Sequence, residues 1–560
     1  MSGLSPSKVS ACFVALVGIA AAEFSCPSLP PAGAKPNDQH FDNRPKVYQN
    51  IVFINGQLQP YNGPVQDVTS PVFDNSINQR ATIGQLPQMD EKLAMKAVDA
   101  AARAWDKGQG LWPQMTLAAR IDAIVAVMNS LKENRDEIVR TLMWEIAKSA
   151  SDAAKEFDRT MLFVDAVITE LRSDPSLGSG FSEWSSVSGV GVRVRRGPIG
   201  VMLALAPFNY PLNEMYAMLI PSLLMGNTAV LKLPAIGGLV HMLTAEAFAK
   251  HLPPGVINFV SGSGRKTMGP IMESGLVDVL GFIGGTRGAD ALIKAHPKPH
   301  RLKVFAQLEG KNLGIVMKDA DLDDAVKQCL LGALSYNGQR CTAIKLIMVH
   351  EAVADVFVSK FITAVSALKA GLPWEEGVSI TPLPELAKPK ILEELIADAL
   401  KHGATLANAA QGGAELRGAL FTPAIVDHVK PSMRLFHEEQ FGPVVPIARF
   451  ADVADVKLAI KESWNGQQAA IFTKDDKVAS PLVDTLSTVV GRININVQCG
   501  RSPDNVPFSG RRSSAMGTMS VLDALRAFSV ETVIAYPANS EVSSSVAQGL
   551  DTSSNFFAAV

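Results

Sequence analysis

Val201-Met-Leu-Ala-Leu205-Ala-Pro207 opens the segment whose reading decides the fold. Further apolar runs follow at 229–233 (AVLKL), 256–260 (VINFV), 279–283 (VLGFI) and 303–307 (KVFAQ), with helical stretches between them. Continuous apolar runs, unlike strict alternation, belong to strands buried on both faces, and the intervening helices predict a parallel sheet covered on both sides. Pro207, Pro211, Pro234, Gly255, Gly262, Gly284 and Gly285 stand at the junctions, where the chain must turn sharply. A sheet of this kind takes its ligands at the carboxyl ends of its strands.

Upstream, ordered structure is predicted from Ile51-Val-Phe-Ile, a strand closed by a turn at Asn55-Gly56. Residues 89–170 are rich in Ala, Leu, Lys and Glu with apolar residues every three or four, which predicts helices. Residues 182–196 alternate Val, Gly and Arg and predict an exposed or edge strand outside the main core. Downstream, 346–350, 469–473 and 492–497 are the strand candidates of a second alternating block, so two α/β domains are expected. Residues 11–22 (ACFVALVGIAAA) are too short to span a bilayer but match the apolar part of a signal peptide. The Ser- and Ala-rich tail from Asn539 is expected to be loosely ordered.

The 560 residues are 47% hydrophobic and 19% charged, which suits a large globular protein with a sizeable core. Net charge is −2, so there is no electrostatic footprint for nucleic acid or an anionic membrane. The cysteines (Cys12, Cys26, Cys329, Cys341, Cys499) are too sparse for a disulfide framework and include no Cys-x-x-Cys pair, so no metal site is expected. An enzyme with a small-molecule site remains.

One cysteine has chemical surroundings. Tyr336-Asn-Gly-Gln-Arg340-Cys341-Thr-Ala places a thiol after a Gly-containing loop, beside a cation and near a candidate helix start, an arrangement that lowers thiol pKa and makes a nucleophile. Against that stands the common case of a small buried apolar residue. Cys329 lies in a helical pattern and reads as core, while Cys499 sits in a polar loop. Other segments converge with the thiol. Pro207-Phe208-Asn209-Tyr210 ends the first buried run, and its Asn offers an amide donor to an oxyanion. Lys232-Leu-Pro-Ala235 ends the next, and Glu438-Glu439-Gln-Phe441-Gly-Pro supplies a carboxylate and an aromatic ring beside a rigid turn.

As an ordered set, Pro-Phe-Asn, Lys-x-Pro, Gly-Gly-Thr, Gly-Gln-Arg-Cys, Glu-x-Phe-Gly-Pro and Pro-Phe-Ser-Gly resemble the aldehyde dehydrogenase superfamily over residues 51–535. The resemblance implies an α/β fold with a Rossmann-like nucleotide-binding domain (46–181 and 197–310), an α/β catalytic domain (311–497) and a small β oligomerisation flap (182–196 and 498–537). A leader (1–45) and a tail (538–560) complete the chain. It also implies Cys341 as nucleophile and an oxyanion hole made by Asn209 and the Cys341 N–H. The cofactor would lie against Pro207, Phe208, Lys232, Gly284, Gly285, Glu439 and Phe441. The thiolate would add to an aldehyde, the adduct would lose hydride and become a thioester, and water or another nucleophile would release the acyl group.

Two positions depart from that family's pattern. In Ala306-Gln307-Leu-Glu309-Gly-Lys311, Gln307 stands where the family carries its general base, and a carboxamide cannot accept a proton at neutral pH. Glu309 can serve only from a remodelled loop; otherwise another base acts or the acyl group goes elsewhere. Ala235 replaces the Glu of NAD-preferring relatives, which makes room for a 2′-phosphate beside Lys232 and predicts NADP over NAD.

Within the superfamily, Pro207-Phe-Asn-Tyr-Pro, Gly338-Gln-Arg-Cys-Thr-Ala and Gly500-Arg501-Ser-Pro-Asp504 look most like the non-phosphorylating, NADP-dependent glyceraldehyde-3-phosphate dehydrogenases. Arg340, Arg501 and Arg159 beside Tyr210 would then bind the substrate's phosphate. The alternatives are another aldehyde, acyl transfer to coenzyme A, a non-catalytic family member, or a plain Rossmann alcohol dehydrogenase, which gives no reason for the cysteine loop. A homodimer or homotetramer is expected, without nucleic-acid or membrane partners. The location is cytoplasmic, or organellar or secretory if the leader is a targeting signal.

Overall fold

The computed structural model describes residues 43–48, 50–74 and 79–558. The apolar run at 11–22, with Cys12 and Cys26, lies outside the described residues. The five apolar runs form β1 (Val201–Leu205), β2 (Thr228–Lys232), β3 (Ile257–Val260), β4 (Val279–Ile283) and β5 (Lys303–Gln307). They pair in parallel in the order β5-β4-β1-β2-β3, and Ala515–Met516 adds a short antiparallel strand beside β5. Met202, Ala204 and Leu231 enter one core cluster while Val201, Leu203 and Val230 enter another, as strands covered on both faces require. Because β2 and β3 lie to one side of β1 and β4 and β5 to the other, the strand order reverses between β1 and β4. A crevice opens at such a reversal.

Helices cover this sheet. Glu91–Trp105 (α1), Leu117–Glu133 (α2), Arg135–Ile146 (α3) and Ala150–Ser173 (α4) precede β1, and Asp90, Thr116 and Ser149 cap α1, α2 and α4 through side-chain oxygens. Pro211–Leu224 (α5) follows β1, and Thr286–Ala295 (α6) follows β4. Asn55 and Gly56 both have positive φ (55° and 73°), the conformation a two-residue hairpin turn between Ile51–Ile54 and Gln57–Pro60 demands.

The second sheet contains β6 (Asn312–Val316), β7 (Ile344–His350), β8 (Ala424–Asp427), β9 (Val444–Phe450), β10 (Gln468–Phe472) and β11 (Arg492–Ile495). Its order is β8-β9-β7-β6-β10-β11, all parallel, with Thr405–Leu406 antiparallel on the β8 edge. Leu322–Leu334 (α7) follows β6 and leads into the cysteine loop.

Residues 182–196 do not form one edge strand. Ser185–Val187 and Val190–Pro198 make a hairpin, and Val190–Pro198 is the middle strand of three, paired along its length with Ser529–Pro537. The tail also departs from expectation, because Glu541–Ser553 is a helix (α8) capped by Ser540. Partners from the flap order it. Arg193 pairs with Asp551, Arg195 Nη2 donates to the Phe557 carbonyl at 3.1 Å, and Trp184 Nε1 donates to Asp551 at 3.2 Å. Composition could not reveal those partners. Among the described residues no helix is long and apolar enough to cross a membrane.

Candidate active site

The two sheets meet across a cavity of about 700 Å³ lined by Asn209, Gln307, Cys341, Phe441 and Arg501 among others. The first sheet contributes the carboxyl ends of β1, β4 and β5, and the second contributes the loops just before β7 and β9 and the loop after β11. The cysteine loop is conformationally strained. Tyr336, Asn337 and Gly338 have φ of 50°, 56° and 70°, and a Cβ on Gly338 would stand 2.7 Å from two backbone oxygens. The surroundings hold this shape. Asn337 exchanges hydrogen bonds with Thr381 in both directions at 2.9 Å, and the Tyr336 hydroxyl donates to the Ile146 carbonyl at 2.9 Å.

Cys341 is half-buried and lines the cavity. Its own carbonyl accepts from Asn312 Nδ2 and Lys345 Nζ, both at 2.8 Å, which anchors the residue from both strands β6 and β7. The thiol's surroundings correct the reading from adjacent residues. No helix starts at Cys341, and Arg340 turns its guanidinium to the Leu331 and Gly332 carbonyls at the end of α7, with Gln498 Oε1 at 3.3 Å. Burial, and next the charge of Glu214, push the Cys341 thiol up from its ordinary range; Lys345 and Arg501 offset this in part. The resting thiol in the unliganded protein is therefore protonated at neutral pH. Cys329 is fully buried core, and Cys499, also buried at the cavity wall, is pushed up to about 12 by burial.

Asn209 is buried and donates one amide hydrogen to the Gln339 carbonyl at 2.8 Å, which ties the loop after β1 to the cysteine loop. Pro207, Phe208, Tyr210, Gly284 and Gly285 line the same cavity. Tyr210 packs its ring over the Lys148 ammonium at 3.4 Å, and Lys148 in turn pairs with Glu156 beneath the site. Phe441 has φ of 45° and meets Phe208 edge to face at 5.9 Å. Glu439 Oε1 is held by Lys345 Nζ at 2.6 Å and by the Gly310 N–H at 3.1 Å.

Lys232 and Ala235 are not among the residues around this cavity; they stand at the carboxyl end of β2, beside β1. The Lys232 ammonium donates to the carbonyl of its neighbour Leu233 at 2.6 Å, and burial lowers its pKa to about 8. Gln307 is buried at the end of β5, and neither its amide nitrogen nor its oxygen has a partner among the described residues. Glu309 also lines the cavity, but its carboxylate is engaged at the start of α6, accepting from the Thr286 N–H at 3.1 Å and from the Thr286 hydroxyl.

Arg159, Arg340 and Arg501 converge on the cavity from α4, the cysteine loop and the loop after β11. Two carboxylates absent from the sequence-derived site stand with them. Asp504 takes Arg159 in a two-pronged contact at 2.7 and 3.1 Å, and Glu214 takes Arg501 at 2.7 Å. Asp504 lies inside the quoted Arg501 motif, but Glu214 had no signal beyond its place one turn past Asn209.

A doubly covered parallel sheet joined through a thiol-bearing cleft to a second α/β unit is the architecture that the resemblance to aldehyde dehydrogenases implies. The sequence profile of the aldehyde dehydrogenase family matches residues 66–534, and the chain belongs to that family. Its activity is the oxidation of an aldehyde. Among similar proteins is the NADP-dependent glyceraldehyde-3-phosphate dehydrogenase of Streptococcus equinus, 33% identical over 80% of this chain and 91% of that one. The lactaldehyde dehydrogenase of Methanocaldococcus jannaschii is 27% identical over 81% of this chain and 94% of its own. In structure, NADP-dependent glyceraldehyde-3-phosphate dehydrogenase from Bacillus halodurans C-125, complexed with NADP, superposes with a TM-score of 0.79 at 31% identity, covering 88% of this chain and 99% of that one.

Proposed function

We propose that the protein oxidises glyceraldehyde 3-phosphate to 3-phosphoglycerate with NADP. The observation that carries this reading is the convergence of Arg159, Arg340 and Arg501 on the cavity that holds Cys341. Three guanidinium groups against Asp504 and Glu214 leave one positive charge in excess, and among the described residues Arg340 has no carboxylate partner. The named substrates of the Streptococcus and Methanocaldococcus relatives share a 2-hydroxyaldehyde group, which glyceraldehyde 3-phosphate also has.

The residues fit the cofactor. Lys232 is a half-buried cation whose one hydrogen-bond partner among the described residues is the next residue's carbonyl, and Ala235 sets no carboxylate against a 2′-phosphate. Gly284 and Gly285, at the strand-order reversal, would lie beside the pyrophosphate, and Pro207, Phe208, Phe441 and Glu439 would hold the nicotinamide end. Bound NADP supplies the hydride acceptor. Cys341 loses its proton to solvent and its sulfur adds to the aldehyde carbon. Asn209 and the Cys341 N–H donate to the resulting oxyanion. Once oxidised, the carbon is a thioester on Cys341, and water displaces the sulfur.

Gln307 cannot take the proton from that water, so we assign the task to Glu309, released from Thr286. In Glu309→Gln, one equivalent of NADPH should appear per site and turnover should then stall; unchanged steady-state turnover removes Glu309 from the role. The unpartnered Gln307 favours a second reading, in which the acyl group passes to coenzyme A. We also take the three-stranded flap as the contact of a homodimer or homotetramer.

A substrate panel with NADP or NAD, with and without coenzyme A, tests the whole. Glyceraldehyde 3-phosphate with NADP should give the highest kcat/KM, above succinic semialdehyde and simple aldehydes. Arg340→Gln or Arg501→Gln should raise KM for the phosphorylated aldehyde far more than for an unphosphorylated one; equal effects contradict the phosphate assignment.

A further inference from the structure

Glu214 has a carboxylate that the proposed chemistry leaves unused. It sits in the first turn of α5, where a negative charge suits the helix end. One oxygen, Oε2, pairs with Arg501 Nη1 at 2.7 Å, and Oε1 has no hydrogen-bond partner among the described residues. The residue lines the same cavity as Cys341, Asn209 and Arg501. Its charge also raises the Cys341 thiol, after burial.

We propose that Glu214 is a specificity-determining residue that selects aldehydes carrying a hydroxyl on the carbon next to the carbonyl. A carboxylate only accepts hydrogen bonds, so its free oxygen asks for a donor on the substrate. With the carbonyl carbon at Cys341 and an anionic tail toward Arg501, the carbon between them passes Glu214. A hydroxyl there donates to Oε1. A bare methylene strips that oxygen of water and offers nothing in return, and sites built to bond a substrate hydroxyl reject the analogue that lacks it. The ion pair with Arg501 fixes the carboxylate in place. The inference rests on aldehyde oxidation at Cys341, and the unphosphorylated pair of aldehydes tests it apart from the phosphate assignment.

Four aldehydes separate the two claims: glyceraldehyde 3-phosphate and its 2-deoxy analogue 3-oxopropyl phosphate, and lactaldehyde and propanal. In the wild-type enzyme each hydroxylated member should exceed its partner at least about tenfold in kcat/KM. In Glu214→Met, of similar size and without an acceptor oxygen, both ratios should fall to within about threefold of unity, and Glu214→Gln should fall between. Comparing variants cancels differences in the aldehydes' own reactivity. A wild-type enzyme without the preference, or a preference that survives in Glu214→Met, overturns the assignment. If Glu214→Met fails to fold, an unchanged ratio in Glu214→Gln overturns it equally. Should phosphorylated aldehydes prove no better than unphosphorylated ones, the triose phosphate reading fails while the lactaldehyde-to-propanal ratio still decides Glu214.

Discussion

The pKa of Cys341 is set by burial and by residues far from it in sequence. Arg340, its immediate neighbour, spends its hydrogen bonds on the end of α7, whereas Glu214 on α5 adds to the burial that raises the thiol. A raised pKa keeps the thiolate scarce until pH passes above the usual cysteine value of about 8.5. Alkylation of Cys341 by iodoacetamide in the unliganded protein should therefore still be accelerating above pH 8.5, and Glu214→Gln should move the profile to lower pH. A plateau below pH 7 contradicts this account. Chain order placed Asn209, Cys341 and Phe441 in the cavity because each follows or precedes a buried strand at a fixed offset. It could not show the side-chain direction of Arg340, nor Glu214, because those depend on which loop end packs against which helix.

At the scale of elements, the apolar runs were legible because strands buried on both faces carry their own signature, as the split of β1 between two core clusters illustrates. The flap and tail were less so. Valines and arginines alternate in Val190–Pro198 whether that strand is central or at an edge, and α8 depends on Asp551 meeting Arg193. Losing a hydrogen bond to a charged group costs about 1.5–3 kcal/mol. Asp551→Ala should accordingly speed amide hydrogen exchange in Glu541–Ser553 and in Val190–Pro198, with oxidation rates at saturating substrate unchanged. Unaltered protection in both segments would mean that the tail is held by something other than this contact. The loop at 336–338 is the opposite case: its Gly338 was visible as a turn residue, but not the left-handed backbone of Tyr336 and Asn337, which hydrogen bonds to Ile146 and Thr381 help to sustain.

Taken whole, the molecule sets the carboxyl ends of one parallel sheet against the loops that enter the strands of another, with the cysteine loop between them. In the proposed function that arrangement lets the strand-order reversal of the first sheet serve a dinucleotide, while the second sheet anchors Cys341 through its carbonyl. The central claim is that the oxidised carbon of the substrate becomes bonded to the Cys341 sulfur. Acid-quenching the enzyme milliseconds after mixing with NADP and glyceraldehyde 3-phosphate, then mapping the peptides by mass, tests it directly. The account predicts a phosphoglyceryl adduct on the peptide that contains Cys341, absent in Cys341→Ser. Steady turnover with no adduct there, or an adduct on Cys329 or Cys499 instead, would contradict it.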